Sequence, residues 1–450
     1  MPPSAADLSN QNPAADEGRV IHGNPEHVSP SDIAIGVIVG RASEYFDFFV
    51  FAIASVIVFP QVFFPFVDAR TGMAYSFSLF ALAFVARPFG AWLFRLIHDR
   101  YGRNVKLTIA LFALGTMTAG IAFLPSYDSM GVWAIALLAA FRFGQGLAVG
   151  GSWDGLPSLL ALNAPNGRRG TYAAIAQLGA PLGFIIASAL FAYLWLSLSS
   201  ADFLNWAWRY PFFVAFALNV VALFARIRLV ATPEYSDLLK TQELTPAPLG
   251  ELLRTQWRNI LLGGFAPLAS FALFHLVTVF ALAWAVLFTT QSVGGFLIVQ
   301  LIGACIAVVT MLAAGRAADH FGRRKTLLFF AVLVAIFSGW TALLLAGSVG
   351  GGYLFVLIGF ALLGAAHGQA AGAINSVFAS RFRYSGAIIT SDLAWLFGAA
   401  FAPLIALELA VHLGIAYVGL YLLSGALGTF AALRVNHNLE MRAEIDPEGR

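Results

Sequence analysis

The feature that most constrains this chain is a series of long apolar runs. They recur along the 450-residue sequence from Ile33 onward, and a bilayer crossing needs about 20 apolar residues. Because backbone polar groups in lipid must be satisfied internally, each run predicts a transmembrane helix. We predict twelve, numbered span 1 to span 12, at residues 33–59, 72–97, 105–124, 131–160, 171–197, 207–229, 257–289, 293–315, 325–347, 351–377, 386–409 and 412–434. The predicted fold class is an all-α membrane protein.

The composition agrees with a membrane protein and excludes several other classes. Hydrophobic residues make up 59% of the chain and charged residues 11%, whereas a soluble domain carries about a quarter charged residues. The sole cysteine, Cys305, excludes an internal disulfide and a cysteine metal cage, and we expect it to be a buried, inert thiol. The sequence contains no Gly-x-x-x-x-Gly-Lys-Ser/Thr phosphate loop and no His-Glu-x-x-His pair. We therefore expect no ATP-driven step, no metal and no other cofactor.

Lysine and arginine are distributed unevenly between the two sets of loops. One set contains Arg100, Arg103, Lys106, Arg168, Arg169, Arg226, Arg228, Lys240, Arg254, Arg258, Arg323, Arg324, Lys325, Arg381 and Arg383. The other set contains only Arg70 and Arg209. The positive-inside rule then predicts an inner-membrane protein with both termini in the cytoplasm.

A short loop sequence occurs twice and divides the chain into two halves. Residues 90–103 read GAWLFRLIHDRYGR and residues 315–325 read GRAADHFGRRK. Each copy lies between two apolar runs, so each predicts a tight turn whose glycine adopts positive φ. We predict a disordered tail at 1–30, six-helix halves at 31–229 and 257–435, a partly helical linker at 230–256 and a second tail at 436–450.

Further motifs follow one another in a characteristic order. They are SEYFDFF at 43–49, RPFG at 87–90, RFGQG at 142–146, GG at 150–151 and RFRYSG at 381–386. Together with the repeated loop, this set resembles the major facilitator superfamily and, more closely, its metabolite:proton symporter family. The resemblance covers about residues 31–435. It implies two pseudo-symmetric halves that transport a small solute together with protons.

Three ionisable residues share one stripe of span 1. Arg41, Glu44 and Asp47 follow i, i+3 spacing, and counting from Ile33 places the two carboxylates about 16 and 21 Å deep. Ionisable groups at that depth are candidates for function. A desolvated carboxylate favours its protonated form unless a cation stabilises the charge. We therefore predict proton coupling at Asp47 or Glu44, with Asp47 favoured. The alternative is that Arg41 simply neutralises Glu44.

Span 4 places a permanent cation near the middle of the bilayer. Arg142 cannot lose its proton, so it needs a carboxylate or an anionic ligand. The resemblance assigns it to an Arg-x-x-Gln-Gly motif linked to proton coupling. A structural pair with Asp47 or Glu44 is the alternative. The residues that we predict to bind solute are Arg142, Gln145, Tyr45, Gln177, His275 and Trp395.

The repeated loops and two nearby carboxylates predict a cytoplasmic gate. Its members are Asp99, Arg100, Gly102, Arg103, Asp154, Asp319, Gly322, Arg323 and Asp392. For Asp392 we expect Arg381 or Arg383 as partner, and for Asp154 we expect Arg100 or Arg103.

Several residues near the gate stand out from the family pattern or from their surroundings. Asp154 stands two residues after the position where the family usually has a glutamate. Arg95 and His98 stand where it usually has glycines. Arg87 precedes Pro88, and we expect it to cap the carbonyls that the proline releases.

The function that these observations favour is proton-coupled symport of a small organic solute, with an organic acid preferred and a zwitterion such as betaine or proline possible. A proton-coupled exporter is the main alternative, and a membrane sensor or membrane enzyme is a lesser one. We expect no enzymatic activity and no nucleic-acid partner. We expect a monomer whose partners are the lipid bilayer, the solute and protons.

Overall fold

The computed structural model describes residues 30–152, 164–165, 167–230, 247–370 and 382–445, and the single residues 160 and 378. Eleven helices in this part of the chain are long and apolar enough to cross a membrane. They are Ala69–Tyr101, Arg103–Ala122, Val132–Gly151, Arg169–Ser197, Ala207–Arg226, Leu268–Phe288, Val293–Phe321, Arg323–Gly347, Val349–His367, Tyr384–His412 and Ala416–Asn436. They correspond to spans 2 to 12.

Span 1 is the continuous helix Pro30–Ile57, which carries Arg41, Glu44 and Asp47. With it, the described residues contain a helix at each of the twelve predicted positions and the all-α class is confirmed. Residues 153–159 of span 4 and 371–377 of span 10 lie outside the described part of the chain. The remaining short helices, Phe59–Val62, Tyr127–Met130 and Ser200–Asn205, lie in loops.

The two copies of the loop sequence form the predicted tight turns. Gly102 and Gly322 each adopt a φ of 85°, which L side chains rarely tolerate. In both turns the glycine N–H donates to the helix that ends there, to His98 O at 2.9 Å and to Ala318 O at 3.0 Å. We call this end of the bundle the signature side and the other end the opposite side.

Helix pairing follows the same plan in both halves. Span 2 packs on span 4 and span 8 on span 10, while spans 3 and 6, and spans 9 and 12, form outer pairs. Glycine residues allow these helices to approach closely, because they have no Cβ. A Cβ at Gly146 would overlap the Ala83 backbone, and one at Gly364 would overlap the Ala307 backbone. The halves meet where span 5 packs on span 8 and span 2 contacts span 11.

Three helices of the second half deviate from regular α-helix. Span 7 has a π-helical segment, Leu276–Phe280, and span 11 has another, Leu396–Ala400. Span 10 ends as a helix at His367. Gln300 donates to the carbonyls of Val277 and Thr278 at 2.8 and 2.9 Å, so it satisfies backbone groups at the irregular turn of span 7.

Some predicted boundaries differ from the structure. The predicted start of span 7 at residue 257 lies inside a separate helix, Leu249–Phe265, which ends before Pro267. That helix is amphipathic and exposes Leu253, Trp257 and Leu261 along one face, since residues four apart share a face. The first helix of span 4 ends at Gly151, and residues 153–159 of the predicted span lie outside the described residues.

Three predicted environments are also corrected. Cys305 is exposed rather than buried. Arg226 and Lys106, which we assigned to loops, are buried within helices. Arg226 has a carboxylate partner inside the bundle, described below, and a residue count along an apolar run could not reveal that partner.

Candidate functional site

A small cavity lies between the two halves. Its volume is about 60 Å³, which is about the space of two water molecules in the liquid, whereas small-molecule sites begin at about 300 Å³. Its wall consists of Arg41, Glu44, Tyr45, Asp47, Phe48, Ala83, Phe84, Arg87, Arg142, Gln145, Gly146, Val149 and Trp395. The cavity thus gathers predicted coupling and solute-binding residues in one place.

Asp47 and Arg142 belong to one hydrogen-bonded chain. Thr118 Oγ1 lies 2.5 Å from Asp47 Oδ1 and donates to it. Gln145 Nε2 donates to Thr118 Oγ1 at 2.8 Å, and Arg142 Nη1 donates to Gln145 Oε1 at 3.1 Å. All four side chains are buried. We call this chain the relay.

The relay stands in place of the direct ion pair of Arg142 with Asp47 or Glu44, which was the alternative to a role in coupling. Among the described residues, no carboxylate lies within 4.0 Å of the Arg142 guanidinium. Arg142 instead donates from Nε and Nη2 to Phe80 O, at 3.4 and 3.2 Å, and its Cζ lies 3.9 Å from the Phe51 ring centroid. Carbonyl and aromatic contacts stabilise the guanidinium, but they do not neutralise its positive charge as a carboxylate would.

Glu44 lies in a separate ionic cluster. Its Oε1 accepts from Arg226 Nη1 at 2.7 Å and from Ser152 Oγ at 3.0 Å, and its Oε2 accepts from Arg41 at 3.3 Å. Gly40 makes room for the Arg226 guanidinium, because a Cβ there would overlap it. The alternative in which Arg41 neutralises Glu44 is therefore present, and Arg226 adds a second cation.

An ion pair joins the halves beside the cavity. Arg87 Nη2 in span 2 lies 2.9 Å from Asp392 Oδ1 in span 11, and both side chains are largely buried. This pair corrects two expectations, because Arg87 binds a carboxylate rather than capping carbonyls and Asp392 has Arg87 as its partner. Arg381 and the Arg383 side chain lie outside the described residues.

Aromatic rings close the second-half wall of the cavity around Trp395. Its ring centroid lies 6.0 Å from that of Tyr45, 5.8 Å from Phe84 and 5.2 Å from Phe274. His275 is completely buried among these rings. Gln177 lies where span 5 is interrupted, between the helices Arg169–Ile175 and Gly179–Ser197, and does not line this cavity.

On the signature side, the second loop copy fastens the halves together. Asp319 at the end of span 8 accepts from Gly170 N at 2.6 Å and from Thr171 N at 3.2 Å. Thr171 Oγ1 donates to the same carboxylate at 2.5 Å. These donors form the first turn of span 5, where unpaired N–H groups favour an anion.

The first loop copy makes different contacts. The Asp99 side chain is 57% exposed and lies 3.7 Å from Arg95 and 3.4 Å from His98 in its own helix. Arg95, which replaces a family glycine, donates to Ala247 O at 2.6 Å, just before the helix Leu249–Phe265. In this structure the two loop copies, although similar in sequence, therefore differ in what their aspartates bind.

The other predicted gate residues are less informative. Arg100 lies over the Tyr101 ring, 5.4 Å from its centroid, Arg103 and Arg323 begin the helices that follow the two turns, and Asp154 lies outside the described residues.

The halves also meet on the opposite side. Ser188 Oγ of span 5 donates to Leu297 O of span 8 at 2.8 Å. Beside Tyr45 in the cavity wall, the rings of Phe49 in span 1 and Phe274 in span 7 stack at 5.6 Å. The described residues therefore make contacts between the halves on the signature side, beside the cavity and on the opposite side.

Sequence reasoning missed several residues of the site. Thr118, Ser152 and Phe80 contribute a hydroxyl, a second hydroxyl and a carbonyl to the buried charges. Single hydroxyls are common in apolar helices and backbone carbonyls occur everywhere, so no sequence signal distinguishes them. Arg226 was visible as a charge but was assigned to a loop.

Comparisons with known proteins agree with the architecture. A family model described as Major Facilitator Superfamily matches residues 129–391. The chain is 36% identical to the inner membrane metabolite transport protein YhjE of Escherichia coli, over 91% of this chain and 94% of that protein. Two more distant E. coli relatives are a shikimate transporter (29%; 88% and 91%) and a proline/betaine transporter (27%; 77% and 71%). A crystal structure of a D-xylose-proton symporter is similar with a TM-score of 0.68 at 18% identity, over 89% of this chain and 96% of that one.

Proposed function

The chain belongs to the major facilitator superfamily, and we propose that it is a proton-coupled symporter that carries a small organic solute by alternating access. The observation that carries the proposal is the relay from Asp47 through Thr118 and Gln145 to Arg142. It connects a carboxylate that can hold a proton with a cation that can hold an anionic solute. Both ends of the relay line the central cavity.

The relay has two hydrogen-bonding arrangements that differ by one proton. With Asp47 ionised, the Thr118 hydroxyl donates to its carboxylate. With Asp47 protonated, the carboxylic acid becomes a donor to Thr118. The Thr118 hydroxyl can then turn to Leu114 O, which lies 2.9 Å away. Protonation therefore removes a negative charge from the cavity wall and leaves the relay fully bonded.

Arg142 supplies the solute contact. Its three hydrogen bonds to protein groups use three of five N–H groups. The remaining two can donate to a carboxylate, which guanidinium groups bind strongly. Because a protonated Asp47 no longer repels such an anion, proton binding and solute binding favour each other.

Alternating access follows from the two sets of closing contacts. Opening of the signature side requires Asp319 to leave Thr171 and Asp392 to leave Arg87. Opening of the opposite side requires Ser188 to leave Leu297. We propose that the signature side is cytoplasmic and that the protein resides in the inner membrane.

The preferred solute class is an organic acid. The names of two relatives, a shikimate transporter and a proline/betaine transporter, include both an acid and zwitterions. Among the described cavity residues, Arg142 is the one cation without a carboxylate within 4.0 Å, which favours a solute with one carboxylate. A zwitterion remains the alternative, because aromatic faces such as those of Tyr45 and Trp395 can attract its cation.

The test is gradient-driven uptake of labelled solutes into proteoliposomes. We expect an inwardly directed proton gradient to drive accumulation by the wild type, and we expect D47N to exchange labelled solute by counterflow without accumulating it. The matched control is D128N, which changes an exposed carboxylate and should behave as the wild type. Full gradient-driven accumulation by D47N would contradict the coupling, and efflux driven by the same gradient would identify an exporter.

A further inference from the structure

Two buried histidines in the second half have hydrogen-bonding nitrogens without partners. His275 is 0% exposed and His367 is 2% exposed. His275 Nε2 and both nitrogens of His367 have no hydrogen-bond partner among the described residues. The fourth nitrogen, His275 Nδ1, lies 3.5 Å from Thr278 Oγ1, at the limit for a hydrogen bond. Buried polar groups are normally bonded, so these three nitrogens are available to donate to or accept from a bound molecule.

Both imidazoles adjoin the wall of the central cavity. The Trp395 ring, which lines the cavity, lies 6.1 Å from His275 and 6.3 Å from His367. Phe80 connects this region to the cation, because its ring centroid lies 5.1 Å from the His275 ring and 5.3 Å from Arg142 Cζ. One aromatic ring thus separates the guanidinium from the imidazole.

The backbone is irregular where these side chains leave their helices. His275 immediately precedes the π-helical segment of span 7, and Trp395 immediately precedes that of span 11. His367 is the last residue of the helix Val349–His367. Such π-helical turns often occur at functional sites. The helical backbone of spans 7, 10 and 11 is therefore irregular next to His275, His367 and Trp395, whose rings lie close together.

Charge in the cavity limits the number of anionic groups that a solute can carry. Arg41 has Glu44 at 3.3 Å and Arg87 has Asp392 at 2.9 Å. Among the described cavity residues, Arg142 alone has no carboxylate within 4.0 Å. One cation without a carboxylate partner is suited to one carboxylate, so a second carboxylate on the solute would lack a counter-ion.

We propose that His275 and His367 are the solute-binding residues of the second half, and that the solute is a hydroxylated monocarboxylate. The inference rests on the proposed transport function. The carboxylate of the solute binds Arg142, and its hydrocarbon part packs against Trp395 in place of neighbouring aromatic rings. Its hydroxyl groups form hydrogen bonds with the imidazole nitrogens. Neither imidazole has a carboxylate within 4.0 Å among the described residues. Each is therefore a neutral donor and acceptor, as a hydroxyl requires.

This arrangement distinguishes hydroxy acids from betaines. A quaternary ammonium group has no hydrogen to donate and no lone pair to offer, so it would leave the three nitrogens unpartnered. A site built to bond hydroxyl groups discriminates strongly against an analogue that lacks them, because its own buried groups then stay unsatisfied. We call the proposed set of His275, His367 and Trp395 the hydroxyl pocket.

The experiment is calorimetric titration of the purified full-length protein with matched pairs of acids. The hydroxylated probes are quinate, D-gluconate and D-glycerate. Their hydroxyl-free counterparts are cyclohexanecarboxylate, hexanoate and propionate, and glycine betaine and succinate complete the panel. We expect at least one hydroxylated probe to bind tenfold or more tightly than its counterpart, and than betaine or succinate.

Histidine variants assign that preference to the hydroxyl pocket. We expect H275L and H367L each to weaken the hydroxylated probe roughly three- to tenfold, the effect of one lost hydrogen bond, with no change for its counterpart. H275Q, which retains a donor and an acceptor, should recover part of the affinity. The matched control is H412L, since His412 is exposed at the opposite side, and it should bind as the wild type does.

Three results would overturn the inference. They are equal binding of each hydroxylated probe and its counterpart, a preference for betaine, and full affinity in H275L and H367L. The last would mean that water alone occupies the nitrogens. The outcome is separable from the transport proposal. If the wild type, H275L and H367L all accumulated betaine equally in a proton gradient, symport would stand and the hydroxyl pocket would be rejected. If binding depended on hydroxyl groups but no gradient-driven accumulation occurred, the hydroxyl pocket would stand and symport would be rejected.

Discussion

At the scale of the residue, buried charges in this protein are distinguished by their partners. Glu44 is bonded by Arg41, Arg226 and Ser152, so its charge is well compensated. Asp47, three residues later, accepts from one group in the described part of the chain, the Thr118 hydroxyl. Their spacing along the helix gives no reason to distinguish the two carboxylates. Their surroundings do, because Glu44 is held as an anion by two cations whereas Asp47 can gain or lose a proton.

The relay predicts a specific role for Thr118. T118V keeps the shape of the side chain and removes the hydroxyl, so Asp47 and Gln145 both lose their contact. Because a hydrogen bond to a charged group contributes about 1.5–3 kcal/mol, we expect gradient-driven accumulation to fall roughly tenfold or more while counterflow persists. T118S should retain accumulation.

Thr116 supplies the matched control for this measurement. It lies two residues away on the exposed face of the same helix and bonds only the Phe112 carbonyl. T116V should accumulate solute as the wild type does. Equal losses in T116V and T118V would attribute the effect to the helix and contradict the relay.

At the scale of the element, glycine decides how closely the spans approach. A Cβ at Gly364 would overlap the backbone of Ala307, whereas a Cβ at Gly339 would meet no heavy atom within 4 Å. We expect G364A to lower the free energy of unfolding by about 1–3 kcal/mol through overpacking. G339A should leave it unchanged or raise it by up to about 1 kcal/mol.

Thermal unfolding of the two variants in the same detergent measures this difference. The substitution is chemically identical and both positions lie inside helices, so helix propensity cannot explain a contrast between them. A melting temperature for G364A at or above that of G339A would contradict the packing of span 10 on span 8.

The two loop copies differ as elements of the gate. Asp319 bonds the first turn of span 5 in the other half, whereas Asp99 bonds residues of its own helix. We expect D319N to open the signature side and D99N to have a much smaller effect. The reporter is S391C, because Ser391 lines a cavity beside the Arg87–Asp392 pair.

Accessibility of the reporter to a membrane-impermeant maleimide gives the measurement. The background must carry C305S, since Cys305 is exposed. A loss of about 1.4 kcal/mol in the closed state corresponds to a tenfold faster modification, which we expect for D319N, with less than a twofold change for D99N. Equal rates in the two variants would contradict the asymmetry of the gate.

At the scale of the whole molecule, one ion pair holds span 2 to span 11. Removal of one member of a buried pair leaves an uncompensated charge and costs about 3–5 kcal/mol, whereas apolar replacement of both members is often neutral. We therefore expect D392L and R87M each to destabilise the protein strongly. We expect the double variant R87M/D392L to recover most of that loss, as measured by thermal unfolding.

The stabilities of R87M, D392L and the double variant together show whether Arg87 and Asp392 stabilise each other. Additive losses in the double variant would mean that Arg87 and Asp392 act independently, against the 2.9 Å contact between them. Recovered stability together with lost transport would identify the pair as a gate, because the halves must then separate and rejoin there during each cycle.

Much of the whole molecule could be predicted from the sequence. Apolar length predicted the spans, because lipid obliges the backbone to bond within each helix, and the repeated loop predicted the two glycine turns. The resemblance to the superfamily is confirmed by the family model and the relatives. The predicted start of span 7 was less accurate, because the helix Leu249–Phe265 ends before Pro267 for reasons that hydrophobicity does not measure.

The sequence determined which residues were expensive to place in a membrane, since a charge in lipid is costly whatever its neighbours are. It did not determine what each charge meets. Tertiary structure decided that Asp47 bonds Thr118, that Glu44 bonds Arg226, and that Arg87 bonds Asp392 across the two halves. These partners lie on different helices, far apart along the chain. Their pairing depends on how the helices rotate and approach one another, and only the packed bundle fixes that geometry.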